Sequence, residues 1–172
     1  MRHLKTSIHP ELDHLGNKTI IQRIAARAIV VDGEEVLLLY THRYQDYTIP
    51  GGGIDHGEDI ISAMVRELKE ETGAQNIHNI KPFGIYEEFR PWHKPEADVI
   101  HMHSYCYTCK VDRKLGKPSY EDYEIKNGME AMWVNIHKAI AHNEETIANS
   151  PQKGMSIERE TFLLHLIAKE MM

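Results

Sequence analysis

The segment RELKEETG, residues 66–73, carries three glutamates, Glu67, Glu70 and Glu71, in a stretch with helical character. In a helix, Glu67 is an i,i+3 neighbour of Glu70 and an i,i+4 neighbour of Glu71, about 5–6 Å away. Like charges at this spacing destabilise a helix. Mg²⁺ and Mn²⁺ prefer oxygen ligands, which carboxylates on one helix face supply. Taken alone, the pattern is typical of a solvated charged helix face, and a divalent-cation site is the alternative.

The elements around these glutamates are predicted to hold them in place. The run Gly51–Gly53 permits positive φ and lets the backbone approach another group closely. A helix is predicted over Asp59–Thr72, ended by Gly73 at its C-terminal cap. Its apolar stripe is formed by Ile61, Met64, Val65 and Leu68. The three glutamates therefore lie beside the stripe, on one adjoining face.

Residues Gly52 to Ala74 together resemble a complete Nudix box. Five residues separate Gly52 from Glu58, and seven more lead to Arg66 at the start of RELKEETGA. Every fixed position matches, although Ala74 is smaller than the usual aliphatic residue. The resemblance implies an α/β/α sandwich with a mixed β-sheet. It also implies hydrolysis of a nucleoside diphosphate linked to another group, with Mg²⁺ or Mn²⁺ as cofactor.

The resemblance also implies roles for individual residues. Glu67, Glu70 and Glu71 would bind metal and carry catalysis, and the Gly51 carbonyl would add a ligand. Glu58 and Arg66 would orient these ligands. Family members take the general base either from the position of Glu67 or from a distant loop. The distant candidates here are Glu121, Glu124 and Glu130. Of these, we count Glu124 and Glu130 also as candidate metal ligands.

Substrate recognition must come from residues outside the box. The loop FRPWHKPEAD combines Arg90, Trp92, His93 and Lys94, which suit stacking on a base and pairing with phosphate. An ordinary exposed loop is the competing interpretation. Tyr44 and Tyr47 are weaker candidates of the same kind. His101 and His103 share one face of a predicted strand, where they contact substrate or metal or are simply half-buried.

Cys106 and Cys109 have the spacing of a zinc site but lie in the same predicted strand. Positions three apart in a strand point to opposite faces. We therefore predict two buried thiols rather than a zinc site.

The rest of the chain predicts one domain over residues 19–172, preceded by an N-terminal arm, residues 1–18. The arm is either disordered or a strand docked on the body or on a partner chain. Strands are predicted at 20–31, 36–40, 82–89, 99–111 and 129–136, and two further helices at 137–148 and 157–171. Residues 112–128 form a polar stretch. The C-terminal apolar stripe fits core or dimer packing.

Composition limits the possible functions. The 172 residues are 41% hydrophobic and 27% charged, with a formal net charge of −6. This charge argues against non-specific nucleic-acid binding, which needs a basic face. No apolar run approaches a membrane span, and two cysteines form no disulfide framework, so we expect a cytoplasmic protein. The resemblance to Nudix proteins, among which homodimers are common, implies a homodimer. A non-catalytic Nudix-like nucleotide-binding module and an isomerase are the alternatives, and both are disfavoured by the intact box.

Overall fold

The fold is built on a mixed β-sheet, and the computed structural model describes residues 1–172. The strands are β1 (His3–Ile8), β2 (Ile20–Asp32), β3 (Glu35–Thr41), β4 (Asp46–Thr48), β5 (Gly51–Gly53), β6 (His78–Pro91), β7 (Val99–Lys110) and β8 (Met129–Asn135). The helices are α1 (Ile60–Thr72), α2 (Asp122–Asn127), α3 (Ile136–Asn149) and α4 (Ile157–Met171).

The sheet has eight strands, in the order β1-β6-β7-β2-β3-β4, with β5 paired to β2 and β8 paired to β3. β1 runs parallel to β6, and β2 runs parallel to β7. The remaining pairings are antiparallel. The mixed sheet predicted from the sequence is confirmed.

Alternation along β2 separates two apolar layers. Ala26, Ala28 and Val30 pack toward α1, in one core with Met64 and Leu68. Ile29 and Val31 point to the opposite face, in a second core formed with α3 and α4. Residues of that second core from the two helices are Ile136, Ala139, Ile140, Leu163, Leu164 and Ile167. Helices therefore cover both faces, and the predicted α/β/α sandwich is confirmed.

Local capping fixes the ends of α1. The Asp59 carboxylate accepts a hydrogen bond from the backbone N–H of Ser62, 3.0 Å away, which is the usual role of a helix N-cap. Gly73 adopts φ +69° and donates its N–H to the Lys69 carbonyl, ending the helix as predicted. The helix carrying the glutamates is therefore held at both ends by residues readable from the sequence.

Several elements differ from the sequence predictions. Of the two alternatives for the N-terminal arm, the structure has a docked strand, because β1 pairs with β6. The division of the chain after residue 18 stays a prediction. The polar stretch 112–128 contains a short helix, α2, which was not predicted. The glycine run forms strand β5 against β2.

None of the helices combines the length and the apolar character that a membrane-spanning helix needs.

The two cysteines lie as predicted. Cys106 belongs to the core under α3 and α4, and Cys109 belongs to the core under α1, so the thiols lie on opposite faces of the sheet. Burial raises the pKa of Cys106 to about 12 and that of Cys109 to about 11, so both stay protonated thiols. They share no metal site.

Candidate active site

Arg66 organises the carboxylates near the start of α1. Its Nε and Nη2 each lie 2.9 Å from one oxygen of Glu58, and its Nη1 lies 2.9 Å from Glu67 and 3.3 Å from Glu70. This bidentate pairing lowers the pKa of Glu58 to about 2, aided by the N–H of Asp55. Arg66 thus offsets part of the repulsion among the glutamates and contacts Glu58, Glu67 and Glu70 together, and the orienting role expected of Glu58 and Arg66 stays a prediction.

Glu71 is buried, with 4% of its surface exposed. One carboxylate oxygen accepts a hydrogen bond of 2.7 Å from the Gly51 N–H. Burial raises the pKa of Glu71 well above its ordinary value, and the charges of Glu67 and Glu124 raise it further, against that hydrogen bond. A buried carboxylate among other carboxylates is costly unless a cation joins it.

The glycine run leaves room for these carboxylates. A Cβ added at Gly52 would lie 2.6–2.8 Å from the carboxylate atoms of Glu67. Gly51 has φ +145°, and a Cβ there would collide with the Ala26 carbonyl oxygen. The Gly51 carbonyl accepts from Arg27 Nη1 at 2.9 Å, so its predicted role as a metal ligand competes with that hydrogen bond. β5 therefore serves as a close-fitting wall beside Glu67 and Glu71.

Glu124 joins the box glutamates from the far side of the site. It caps α2 through the Glu121 N–H, 2.7 Å from its Oε2, and it is 3% exposed. Burial raises the pKa of Glu124, and its charge in turn raises the pKa of both Glu67 and Glu71. The structure therefore brings this distant candidate, some fifty residues along the chain, to the predicted metal site.

Glu130 and Glu121 lie differently from Glu124. The Glu130 carboxylate pairs with His42 Nε2 at 2.8 Å, and both side chains are 62% exposed. Glu121 is the N-cap of α2 and is exposed. The structure therefore favours Glu124 as the metal ligand, and the role expected of Glu130 stays a prediction. Glu130, on β8, stands opposite Tyr40 of β3, and its side chain contacts His42 at the surface.

A cavity of about 270 Å³ opens beside Gly51, Gly52 and Glu71. Arg90, predicted as a substrate contact, lines it, as does the weaker candidate Tyr44. The sequence analysis missed the other charged lining residues: Arg27, Asp46, Arg159 and Glu160. A charged residue at a buried position of a strand or helix could have marked such residues in the sequence. Arg27, for example, stands in the apolar run AARAIVV.

Buried ion pairs shape the floor of this cavity. Arg159 pairs with Glu88 and with Glu160, whose other oxygen accepts from the Ile49 N–H at 2.9 Å. Burial lowers the pKa of Arg27 and of Arg90, yet both remain cations at neutral pH. The Nε of Arg27 has no hydrogen-bond partner. The cavity thus offers guanidinium groups next to the carboxylates of α1.

The other predicted substrate contacts lie outside this cavity. Trp92 Nε1 donates to Glu96 at 3.0 Å, and its ring lies between Arg23 and Lys94. Tyr47 packs against the core and contacts the rings of Tyr40 and His142. His101 and His103 face Glu87.

Comparison with known proteins decides the family. The NUDIX domain family matches residues 21–154, which is most of the chain. This chain belongs to the NUDIX family. Its fold resembles a mutator MutT protein from Bacillus halodurans, with a TM-score of 0.58 and 22% identity, over 83% of this chain and 82% of that one. A NUDIX hydrolase from Nitrosomonas europaea gives a TM-score of 0.52 and 20% identity, over 87% and 91% of the two chains.

Two relatives of this Nudix chain share sequence with it over shorter stretches. The human diphosphoinositol polyphosphate phosphohydrolase 3-alpha is 31% identical over 110 residues, 62% of this chain and 58% of that protein. An RNA pyrophosphohydrolase from Brucella anthropi is 37% identical over 68 residues, 40% of this chain and 33% of that protein. The chain therefore spans less than two thirds of the length of these relatives.

The donor set of the Nudix box fits a hard divalent cation. The charge of Glu124 raises the pKa of both Glu67 and Glu71 in a partly dry site, and a cation would offset this cost. Arg66 holds one oxygen of Glu67 and the Gly51 N–H holds one oxygen of Glu71, while the Glu71 side chain is hydrogen-bonded to Glu124.

Gly52→Ala should slow turnover while leaving the fold intact. The added methyl would displace the Glu67 carboxylate, and a misplacement near 1 Å costs about 10²-fold in rate. Gly53→Ala is the matched control, because nothing lies within 4 Å of a Cβ at that position. Steady-state kinetics and thermal melting of both variants check this. Equal rates for the two variants would show that the space left by Gly52 is not needed to position Glu67.

Proposed function

We propose that this protein is a metal-dependent hydrolase that cleaves the diphosphate linkage of a nucleoside diphosphate linked to another group. The observation that carries this proposal is the convergence of Glu124 with Glu67 and Glu71 beside a cavity lined by arginines. Carboxylates on one wall suit the metal, and guanidinium groups on another suit the phosphate oxygens. The intact box disfavours the alternative of a non-catalytic nucleotide-binding module.

Glu67, Glu70, Glu71 and Glu124 are the residues that would hold Mg²⁺ or Mn²⁺. The bound cation would lower the pKa of a water molecule and would neutralise charge on the phosphates. Arg66 orients Glu67 and Glu70, and the Gly51 N–H orients Glu71. These contacts use one oxygen of Glu67 and one of Glu70, whereas both oxygens of Glu124 accept hydrogen bonds, from the Tyr123 hydroxyl and the Glu121 N–H.

Glu67 and Glu124 are the two candidates for the general base. The pKa of each is raised chiefly by burial, which brings it closer to neutral pH, where a base is most effective. Glu67 also contacts Arg66, which opposes the rise. Either carboxylate would accept the proton of the attacking water, and the leaving phosphate would depart toward the arginine-lined cavity.

The arginine-lined cavity favours a substrate with anionic oxygens beyond those at the metals. Of its cations, Arg27 has no carboxylate within 4.0 Å, and Arg90 has a long ion pair with Glu88, at 3.8 Å. Nucleotide sugars, ADP-ribose, nucleoside triphosphates, capped RNA and diphosphoinositol polyphosphates are the compounds to compare. The last is suggested by the name of the human relative. Release of phosphate or nucleotide with Mg²⁺ and with Mn²⁺ tests this panel.

Arg90→Gln should raise KM more than it lowers kcat on the best substrate of that panel. Arg90 lines the cavity and would bind substrate and transition state alike, a pattern that appears in KM. A lost charged hydrogen bond of about 1.5–3 kcal/mol corresponds to roughly a ten- to hundred-fold rise. Trp92→Ala is the comparison, and we expect little change, because its ring lies outside the cavity. A rise in KM for Trp92→Ala without a rise for Arg90→Gln would show instead that the loop around Trp92 recognises the substrate.

A cytoplasmic location and a homodimer belong to the same proposal. Two reduced, buried thiols support the first. Exposed apolar side chains on the sheet face near β1 and β2, such as Ile8 and Ile24, support the second. Sedimentation of the purified protein tests the dimer.

A further inference from the structure

Three metal-ligating side chains meet on the sheet away from the Nudix box. They lie on the paired strands β6 and β7, where Glu87 stands opposite His103 and Phe89 stands opposite His101. Because side chains alternate along a strand, Glu87, Phe89, His101 and His103 share one face of the sheet. None of the four lines the cavity beside the box.

The geometry of this cluster, Glu87, His101 and His103, fits a tetrahedral ion better than a hydrogen-bonded triad. One ligand atom from each residue lies within 4.8 Å of the other two. His101 Nε2 and His103 Nδ1 each lie 3.5 Å from a different Glu87 oxygen. That is longer than a good hydrogen bond, about 2.7–3.2 Å. It is close to the edge of roughly 3.3 Å that joins two ligands bound tetrahedrally at about 2.0–2.1 Å.

The ring nitrogens of this cluster lack partners in the protein. His101 Nε2 and His103 Nε2 are both buried and without a hydrogen bond. Buried polar atoms are normally paired, so each such atom calls for an explanation.

Neighbouring side chains hold the ligands in orientation. The ring of Phe89 stacks on His101 at 4.0 Å between centroids and 15° between planes. The Thr6 hydroxyl, on β1, lies 3.5 Å from Glu87 Oε2 and 2.8 Å from His3 Nε2. Such supporting contacts are typical of metal sites, where they fix the ligand geometry.

We propose that Glu87, His101 and His103 form a second metal site, specific for Zn²⁺ and similar transition-metal ions. Two imidazoles and one carboxylate suit these ions, whereas Mg²⁺ prefers oxygen ligands alone. Three protein ligands leave a fourth position for water. The site is independent of the hydrolase proposal, since it shares no residue with the box. It joins the neighbouring strands β6 and β7.

Zinc titration by calorimetry in millimolar Mg²⁺ tests this site, because Mg²⁺ occupies the oxygen-rich box. We expect one Zn²⁺ per chain, weakened at least about 100-fold by His101→Gln or His103→Gln. That expectation follows because even loss of a supporting contact costs 10–100-fold. His165→Gln is the matched control: His165 pairs with Glu144 at 2.8 Å but has no third ligand. It should bind zinc like the wild type.

Two further measurements keep the outcome clear. The double variant Glu67→Gln and Glu71→Gln should retain the zinc stoichiometry, which separates this site from the box. Co²⁺ bound in place of zinc should show the intense visible bands of a tetrahedral ion in the wild type, and these should be lost in Glu87→Gln. Unchanged zinc binding in the folded His103→Gln and Glu87→Gln variants would overturn the proposal, as would wild-type protein that binds no zinc.

Discussion

Glu67→Gln, Glu70→Gln and Glu71→Gln are each expected to lower kcat by about 10²–10⁴-fold with the fold intact, the usual cost of losing a positioned acid or base. Lost metal affinity adds to the effect, so the assays need saturating Mg²⁺. Steady-state kinetics on the best substrate give the result. Glu144→Gln, which only loses a surface contact with His165, is the control. Near-normal rates in all three variants would show that the glutamates of the box do not take part in catalysis.

Glu71→Gln should also melt higher than the wild type in metal-free buffer. The pKa of Glu71 is raised in the folded protein, so ionisation destabilises the fold as pH rises above the ordinary value of 4.5. The gain should therefore be present at pH 8 and shrink below pH 4.5, where the carboxyl is protonated in both states. Its Gly51 contact is kept, because the amide oxygen of glutamine can accept the same hydrogen bond.

Glu124→Gln should lower kcat by about 10²-fold or more, whereas Glu130→Gln should stay near the wild-type rate. Glu124 is buried among the box glutamates, while Glu130 is exposed and paired with His42. The two changes are chemically identical, so their difference reports position alone. Parallel kinetics of the two variants across a Mg²⁺ titration measure it.

A larger loss of kcat in Glu130→Gln than in Glu124→Gln would contradict this assignment. The distant catalytic carboxylate would then be Glu130, on β8, instead of Glu124, on α2. The capping role of Glu124 must be kept separate from catalysis, because the Glu121 N–H bonds to its Oε2. Glutamine retains an acceptor oxygen for that cap, so helix α2 should persist. Circular dichroism and melting of Glu124→Gln check this.

The local part of the site was readable from the sequence because its residues are close along the chain. Asp59, the three glutamates and Gly73 fall at helical spacing, and the structure has the helix within one residue of the prediction. Arg66 reaches Glu58 as expected, since both lie near the first turns of that helix. Runs rich in β-branched and apolar residues likewise predicted strands β2 and β3, which contribute to both cores.

The parts that escaped prediction depend on contacts between distant segments. Arg27, Arg159 and Glu160 meet only after β2 and α4 pack together, so no spacing pattern marks them. Glu124 could not be separated from Glu130 by sequence, because α2 was not predicted and decides which one turns inward. Trp92 had the right chemistry for a substrate contact, but its turn between β6 and β7 places it elsewhere.

Metal-dependent turnover tests the central proposal most directly. Protein stripped with a chelator and assayed on the best substrate of the panel should be inactive. Activity should return with Mg²⁺ or Mn²⁺ in wild-type protein, and should return only weakly in Glu67→Gln. Full turnover by wild-type protein in excess chelator would contradict the account, as would the absence of hydrolysis of every phosphoanhydride tested with either metal.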